Sequence, residues 1–213
     1  MPRPASRPAL ARLPVTRPGL RVGLFGGSFD PPHAGHLHVA ATALRRLGLD
    51  RVWWLVTPGN PLKATGGLPA PETRMAAARR LARDPRMIVT DVETRLGTRY
   101  TIDLVRRLTR LRPGVRFVLV IGADNWATIH RWGHWQEICQ TLPIAVVDRP
   151  GASLRALAAP AARRYAARRI ASDAAAGLAD AKAPAWVFLT GPRSSLSSTA
   201  LRGGARQASP AEG

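Results

Sequence analysis

Short, almost unbroken apolar runs recur along this chain, separated by amphipathic stretches of helical length. The runs are Arg21–Phe25, Val52–Val56, Met87–Val92, Val115–Ile121, Ile144–Val147 and Trp186–Leu189. Between them, apolar residues fall at helical spacing over His36–Leu47, Glu72–Ala82, Thr101–Leu111 and Trp135–Gln140, with the Ala/Arg segment Pro160–Ile170 as a further candidate. A strand that is apolar throughout needs cover on both faces, and intervening helices supply it in a parallel sheet. Right-handed crossovers then predict a single doubly wound, Rossmann-like α/β domain. Ligands of such sheets bind at the carboxyl ends of the strands, close to the point where strand order reverses.

The expected domain spans residues 20–202. Residues 1–19 hold many prolines and arginines and no acidic residue, and read as a disordered leader without the apolar core of a secretory signal. Residues 171–185 read as a loose loop of small residues, and residues 203–213 as a flexible tail. No window approaches the apolar length of a membrane span, so the cytoplasm is the expected compartment. The single cysteine, Cys139, excludes an internal disulfide.

Charge is the strongest compositional bias. The chain of 213 residues has 32 Lys and Arg against 13 Asp and Glu, a formal net charge of +19. That excess invites a nucleic-acid reading. Against it, every basic residue except Lys63 and Lys182 is an arginine, and Ala, Pro and Gly are abundant too, as a GC-rich genome would produce. The arginines are also scattered in pairs such as Arg45/Arg46, Arg106/Arg107 and Arg168/Arg169 on helix-like segments, which reads as solvated faces. No basic stretch is interleaved with aromatics.

The most informative segment is Gly26-Gly27-Ser28-Phe29-Asp30-Pro31-Pro32-His33-Ala34-Gly35-His36, directly after the first strand. Its glycine spacing is not that of a dinucleotide fingerprint, and no Gly-Lys-Ser/Thr follows to make a P-loop. The glycines let a backbone turn sharply and approach a ligand, and the prolines stiffen the return. A helix starting near Gly35 aims its free N–H groups and positive dipole end where His33 and His36 stand, which suits a polyphosphate. A two-histidine metal site would need a third ligand, with Asp30 the nearest candidate.

This segment resembles the first signature of the nucleotidyltransferase superfamily with an H-x-G-H motif. Ser197-Ser198-Thr199-Ala200-Leu201-Arg202 is similar to that family's second motif, S-S-T-x-[IVL]-R. Between them, Pro58–Lys63, Arg99–Asp103, Ile121–Asp124 and His130-Arg131-Trp132 fall in the order of the bacterial nicotinate-nucleotide adenylyltransferase branch. The resemblance implies transfer of the adenylyl group of ATP to nicotinate mononucleotide, giving nicotinate adenine dinucleotide and pyrophosphate in NAD biosynthesis. It implies catalysis by His33, His36 and Arg202, with His36 at the α-phosphate and His33 at the β- and γ-phosphates. ATP would be bound by Gly26, Gly27, Ser28, Phe29, His33, His36, Gly122, Asp124, Arg149, Ser197, Ser198, Thr199 and Arg202. In this set Asp124 would meet a ribose hydroxyl and Arg149 would lie near the adenine.

Nicotinate mononucleotide would be bound by Ser28, Lys63, Tyr100, Thr101 and Trp132, with Trp126 a second candidate for stacking on the pyridine ring. Mg²⁺ would enter with the triphosphate, with no metal site of the protein's own. The expected partners are these two small molecules, with neither nucleic acid nor membrane. The alternatives are acceptance of nicotinamide mononucleotide, a phosphopantetheine adenylyltransferase of the same fold, and a basic nucleic-acid-binding domain. The phosphopantetheine branch usually carries Thr where this chain has His33.

Overall fold

The computed structural model describes residues 13–58, 68–149 and 151–190. Seven parallel strands form one sheet: β1 (Arg21–Gly27), β2 (Arg51–Val56), β3 (Met87–Thr90), β4 (Arg116–Gly122), β5 (Ile144–Val147), β6 (Arg169–Ile170) and β7 (Trp186–Leu189). Their order across the sheet is β3-β2-β1-β4-β5-β7-β6. The chain moves outward from β1 through β2 to β3, then returns to place β4 on the other side of β1. The carboxyl ends of β1 and β4 are therefore the switch point, where the paired crossovers leave a crevice.

Alternate residues of each strand serve opposite faces, and the core divides accordingly. Val22, Leu24, Trp53, Leu55, Phe117, Leu119, Ile144 and Phe188 belong to one buried cluster; Phe25, Val52, Trp54, Val118, Val120, Ala145 and Val187 belong to the other. Trp53 and Trp54 are consecutive, yet each is fully buried, one on each side. The second face is covered by α1 (Ala34–Arg46), α2 (Pro71–Leu81) and a 3₁₀ segment, Ala175–Asp180. The first face is covered by α3 (Val92–Leu96), α4 (Thr101–Leu111), α5 (Ala123–Thr128), α6 (Trp135–Thr141), α7 (Ser153–Leu157) and α8 (Pro160–Arg164). No described helix is long and apolar enough to cross a membrane.

Several boundaries differ from expectation. Part of the expected leader belongs to the fold: Leu13 is 6% exposed in the core, and the Gly19 N–H donates to the Gly114 carbonyl at 2.8 Å. Residues 1–12 and 203–213 lie outside the described residues. Met87–Val92 does not remain a strand to its end, because Val92 opens α3. The expected helix Pro160–Ile170 ends at Arg164, and Arg169–Ile170 pairs with β7 as an edge strand. The expected loose loop contains the 3₁₀ segment, which buries Ala175 and Leu178 against the sheet.

Candidate active site

The loop leaving β1 is built around Phe29. This residue has φ +48 and is fully buried. Its ring stacks on Trp54 (5.1 Å, 27°) and meets the edges of Phe25 (5.6 Å) and His36 (5.0 Å). Gly27 makes room for it, since a Cβ there would stand 3.2 Å from the ring. Phe29 was expected among the ATP contacts. Its side chain is core, so only its main chain remains for a ligand. Gly26 has open space where a side chain would be.

His33 is the N-cap of α1 and only 5% exposed. Its Nδ1 accepts from the Gly35 N–H at 3.1 Å, and His36 Nδ1 accepts from the His33 N–H at 3.2 Å. This reciprocal cap satisfies two of the N–H groups that a helix start leaves open. It also fixes tautomers: a nitrogen that accepts from a backbone N–H carries no proton, so in the neutral ring the proton sits on Nε2. His33 Nε2 is buried with no hydrogen-bond partner among the described residues. The two rings lie with centroids 3.9 Å apart. Burial, the other imidazole and the Arg149 guanidinium push His36 down to about 3. Burial and Arg149 also lower His33, against a small opposing pull from Asp124. At neutral pH the pair is uncharged and offers two Nε2–H donors.

Across the switch point, β4 ends at Gly122. A Cβ there would collide with Asp124 Oδ1 and stand 2.9 Å from Arg149 Nε, so only glycine lets both side chains fold over the strand end. Asp124 Oδ2 is 3.5 Å from Arg149 Nη1, a long contact, with the aspartate side chain 50% exposed and the arginine 17%. Arg149 Nε is buried without an acceptor among the described residues. The guanidinium thus stands over the β4 end with much of its donor capacity open, and its charge is felt at His33, His36 and His38. Asp124 does not cap α5, whose start has no side-chain cap.

The structure therefore brings Gly27, His33, His36, Gly122, Asp124 and Arg149 together. Tyr100 and Thr101 stand at the start of α4, beyond β3, with Tyr100 48% exposed. Trp132 is partly buried against the core between the 3₁₀ turn Ile129–Arg131 and α6. No hydrogen bond, ion pair or ring contact among the described residues links these three to the histidines. Trp126 is no stacking platform: it is fully buried with its ring 5.0 Å from Trp186. Lys63, Ser197, Ser198, Thr199 and Arg202 lie outside the described residues. Among the described residues no group of three or more His, Cys, Asp or Glu could hold a metal ion.

Two polar residues at this edge of the sheet were not anticipated. Asp148 is 4% exposed and accepts from Ser153 Oγ at 2.6 Å, fastening α7 to the end of β5. Arg74 is 3% exposed on α2 and donates to the Ser28 carbonyl at 2.7 Å. A signal for Arg74 was present, because it shares the helical face of Ala78, a core position where arginine is out of place.

The family model for cytidylyltransferase-like proteins matches residues 24–204. A probable nicotinate-nucleotide adenylyltransferase of Ruegeria pomeroyi is 56% identical over 89% of this chain and 88% of its own. Proteins of the same description from a Caulobacter species (58% identical, 86% of this chain, 97% of theirs) and from Methylorubrum extorquens (57%, 86% and 99%) match similarly. Among solved structures, the Plasmodium falciparum nicotinic acid mononucleotide adenylyltransferase complexed with NaAD superposes with a TM-score of 0.65 at 16% identity. That match covers 86% of this chain and 83% of the other, and it supports the fold. With the H-x-G-H pair at the switch point of such a sheet and relatives this similar over most of their length, the chain belongs to the nicotinate-nucleotide adenylyltransferase family of cytidylyltransferase-like nucleotidyltransferases.

Proposed function

We propose that this protein transfers the adenylyl group of ATP to nicotinate mononucleotide, releasing pyrophosphate and nicotinate adenine dinucleotide. An oxygen of the mononucleotide's 5′-phosphate attacks the α-phosphorus of ATP, and the bond to the bridging oxygen of the leaving pyrophosphate breaks. The nucleophile is already ionised at neutral pH, its second pKa being near 6, so no general base is required. The protein's task is to align two anions and neutralise the charge that develops between them.

The observation that carries the reading is the pair of tautomer-fixed imidazoles, tilted against each other with centroids 3.9 Å apart on the N-terminus of α1 at the switch point. Neutral Nε2–H donors approach phosphate oxygens without first having to shed a full ionic hydration shell. Each ring keeps its Nδ1 in the cap and turns only Nε2–H to the phosphate, donating as a neutral group. Arg149, held only loosely by Asp124, supplies a permanent cation beside them. In this reading His36 and His33 serve the triphosphate, Arg202 and Ser197–Thr199 complete its phosphate contacts, and Lys63 belongs to the acceptor's side. Asp124 suits a ribose hydroxyl, while Tyr100, Thr101 and Trp132 serve the acceptor. Mg²⁺ accompanies ATP as part of the substrate, bound through phosphate oxygens and water. In this reading the reaction runs in the cytoplasm, where both substrates are taken from solution.

The test is pyrophosphate release from ATP and Mg²⁺ with nicotinate or nicotinamide mononucleotide as acceptor. Turnover is expected with both substrates present and fastest with the acid. Absence of turnover with either acceptor would falsify the reading, and a strong preference for the amide would reverse the assigned specificity.

A further inference from the structure

Arg74 stands in the first turn of α2, almost fully buried. It donates to three main-chain carbonyls: Nη1 to Ser28 at 2.7 Å and to Thr57 at 2.9 Å, and Nε to Pro69 at 2.9 Å. These oxygens belong to three separate pieces of chain: the loop after β1, the end of β2 and the entry to α2. Asp30 and Glu72 lie close enough for their carboxylates to act on the guanidinium through charge. A buried cation is expensive to keep even with these partners, and an apolar side chain would fill a core helix position at lower cost.

The Ser28 carbonyl is the lever. The Ser28–Phe29 peptide is trans, so its C=O and N–H point in opposite directions. Turning the oxygen toward Arg74 turns the Phe29 N–H to the opposite side of the peptide, away from the guanidinium. Among the described residues neither the Ser28 nor the Phe29 N–H has an acceptor. The Phe29 ring is wedged between Trp54 and His36, so the peptide cannot be re-aimed by moving that residue as a whole.

We propose that Arg74 is a positioning residue of the transfer site: by holding the Ser28 carbonyl it aims the Phe29 N–H at a phosphate oxygen of the bound nucleotide. The assignment rests on the adenylyl-transfer reading above. Arg74 does not touch substrate, and it acts through one peptide plane. Lysine in its place keeps the charge but not the planar fork that reaches three oxygens.

Two measurements test this. The chain has four phenylalanines, so protein labelled with ¹⁵N-phenylalanine gives a four-signal amide spectrum, with Phe29 assigned by its loss in Phe29→Leu. Titration with α,β-methylene-ATP and Mg²⁺ is expected to move the Phe29 amide of the wild type, and to move it far less in Arg74→Lys. In steady-state kinetics Arg74→Lys and Arg74→Gln are expected to lose about 10- to 100-fold in kcat per folded molecule, the scale of a misaligned contact. A purely structural Arg74 would lower the melting temperature and leave both kcat and the Phe29 shift unchanged; that result overturns the assignment. The wild-type titration needs no variant, and a Phe29 amide that stays still while the analogue binds overturns it as well. Wild-type protein that neither binds the analogue nor releases pyrophosphate overturns the adenylyl-transfer reading itself, and this assignment with it.

Discussion

Two imidazoles with centroids 3.9 Å apart would repel each other if both were charged, and burial beside the Arg149 guanidinium keeps them neutral. His36→Ala removes one Nε2–H donor and the acceptor for the His33 N–H. The first loss is expected to lower kcat on the order of 10²- to 10³-fold. The second costs about 0.5–2 kcal/mol of stability, as for other caps. Turnover close to wild type, measured by pyrophosphate release, would remove this histidine from the reaction. Glu93, on α3, is a different case: burial alone pushes its carboxyl up to about 7. In the unfolded chain it ionises near the ordinary value of 4.5, so the folded state holds a proton there that the unfolded state has released. Stability from this group is complete below pH 4.5 and is lost as pH rises through 7. Glu93→Gln is therefore expected to raise the melting temperature at pH 8 and leave it nearly unchanged at pH 4, and equal shifts at both would contradict the assignment.

At the scale of elements, the ends of β1 and β4 carry the site, and each ends in a glycine for its own reason. Gly27 yields space to the Phe29 ring, and Gly122 yields space to Asp124 and Arg149. Gly122→Ala is expected to keep the sheet intact and cost about 1–3 kcal/mol of stability. By displacing the two side chains it should also lower kcat/KM for ATP on the order of tenfold; calorimetry and kinetics on one preparation separate the two effects. The long strands and α1, α2 and α4 were legible in the sequence, because apolar runs and helical periodicity extend over enough residues to be distinctive. The segments α3, α5 and α7 were not, since five or six residues make under two turns and show no period. Nor was β6, whose two residues are a strand only because β7 lies beside them. His33 and His36 were legible because their motif is local. The protonation state of that pair, the wrapping of Gly122 by Arg149 and the buried reach of Arg74 depend on residues far apart in the chain, and no local pattern announces them.

For the whole molecule, a net charge of +19 acts mainly at a distance. Most arginines are exposed, and Arg21 and Arg116 share the single carboxylate of Asp180. Exposed pairs of this kind contribute about 0–1 kcal/mol each, so the charge does little to hold the fold. Its expected effect is to draw anionic substrates toward the surface. Raising KCl from low salt to about 0.3 M, where charges are screened over less than 10 Å, is expected to lower kcat/KM for both substrates roughly severalfold. The melting temperature should scarcely move, and a salt-independent kcat/KM would show that steering is absent.

The strand order has a consequence for synthesis. Among the described residues β6 pairs only with β7, and β7 is also the neighbour that covers the open side of β5. A ribosome delivers β7 after all the others, so until it emerges β6 has nowhere to dock and β5 is left as an exposed edge. The nascent chain can assemble β3-β2-β1-β4-β5 with the histidine pair already at its switch point, but the sheet is complete only when its late strand slides into an interior gap. Stalled chains that end before Trp186 should therefore present a sticky parallel edge, and chaperones would find them by that edge.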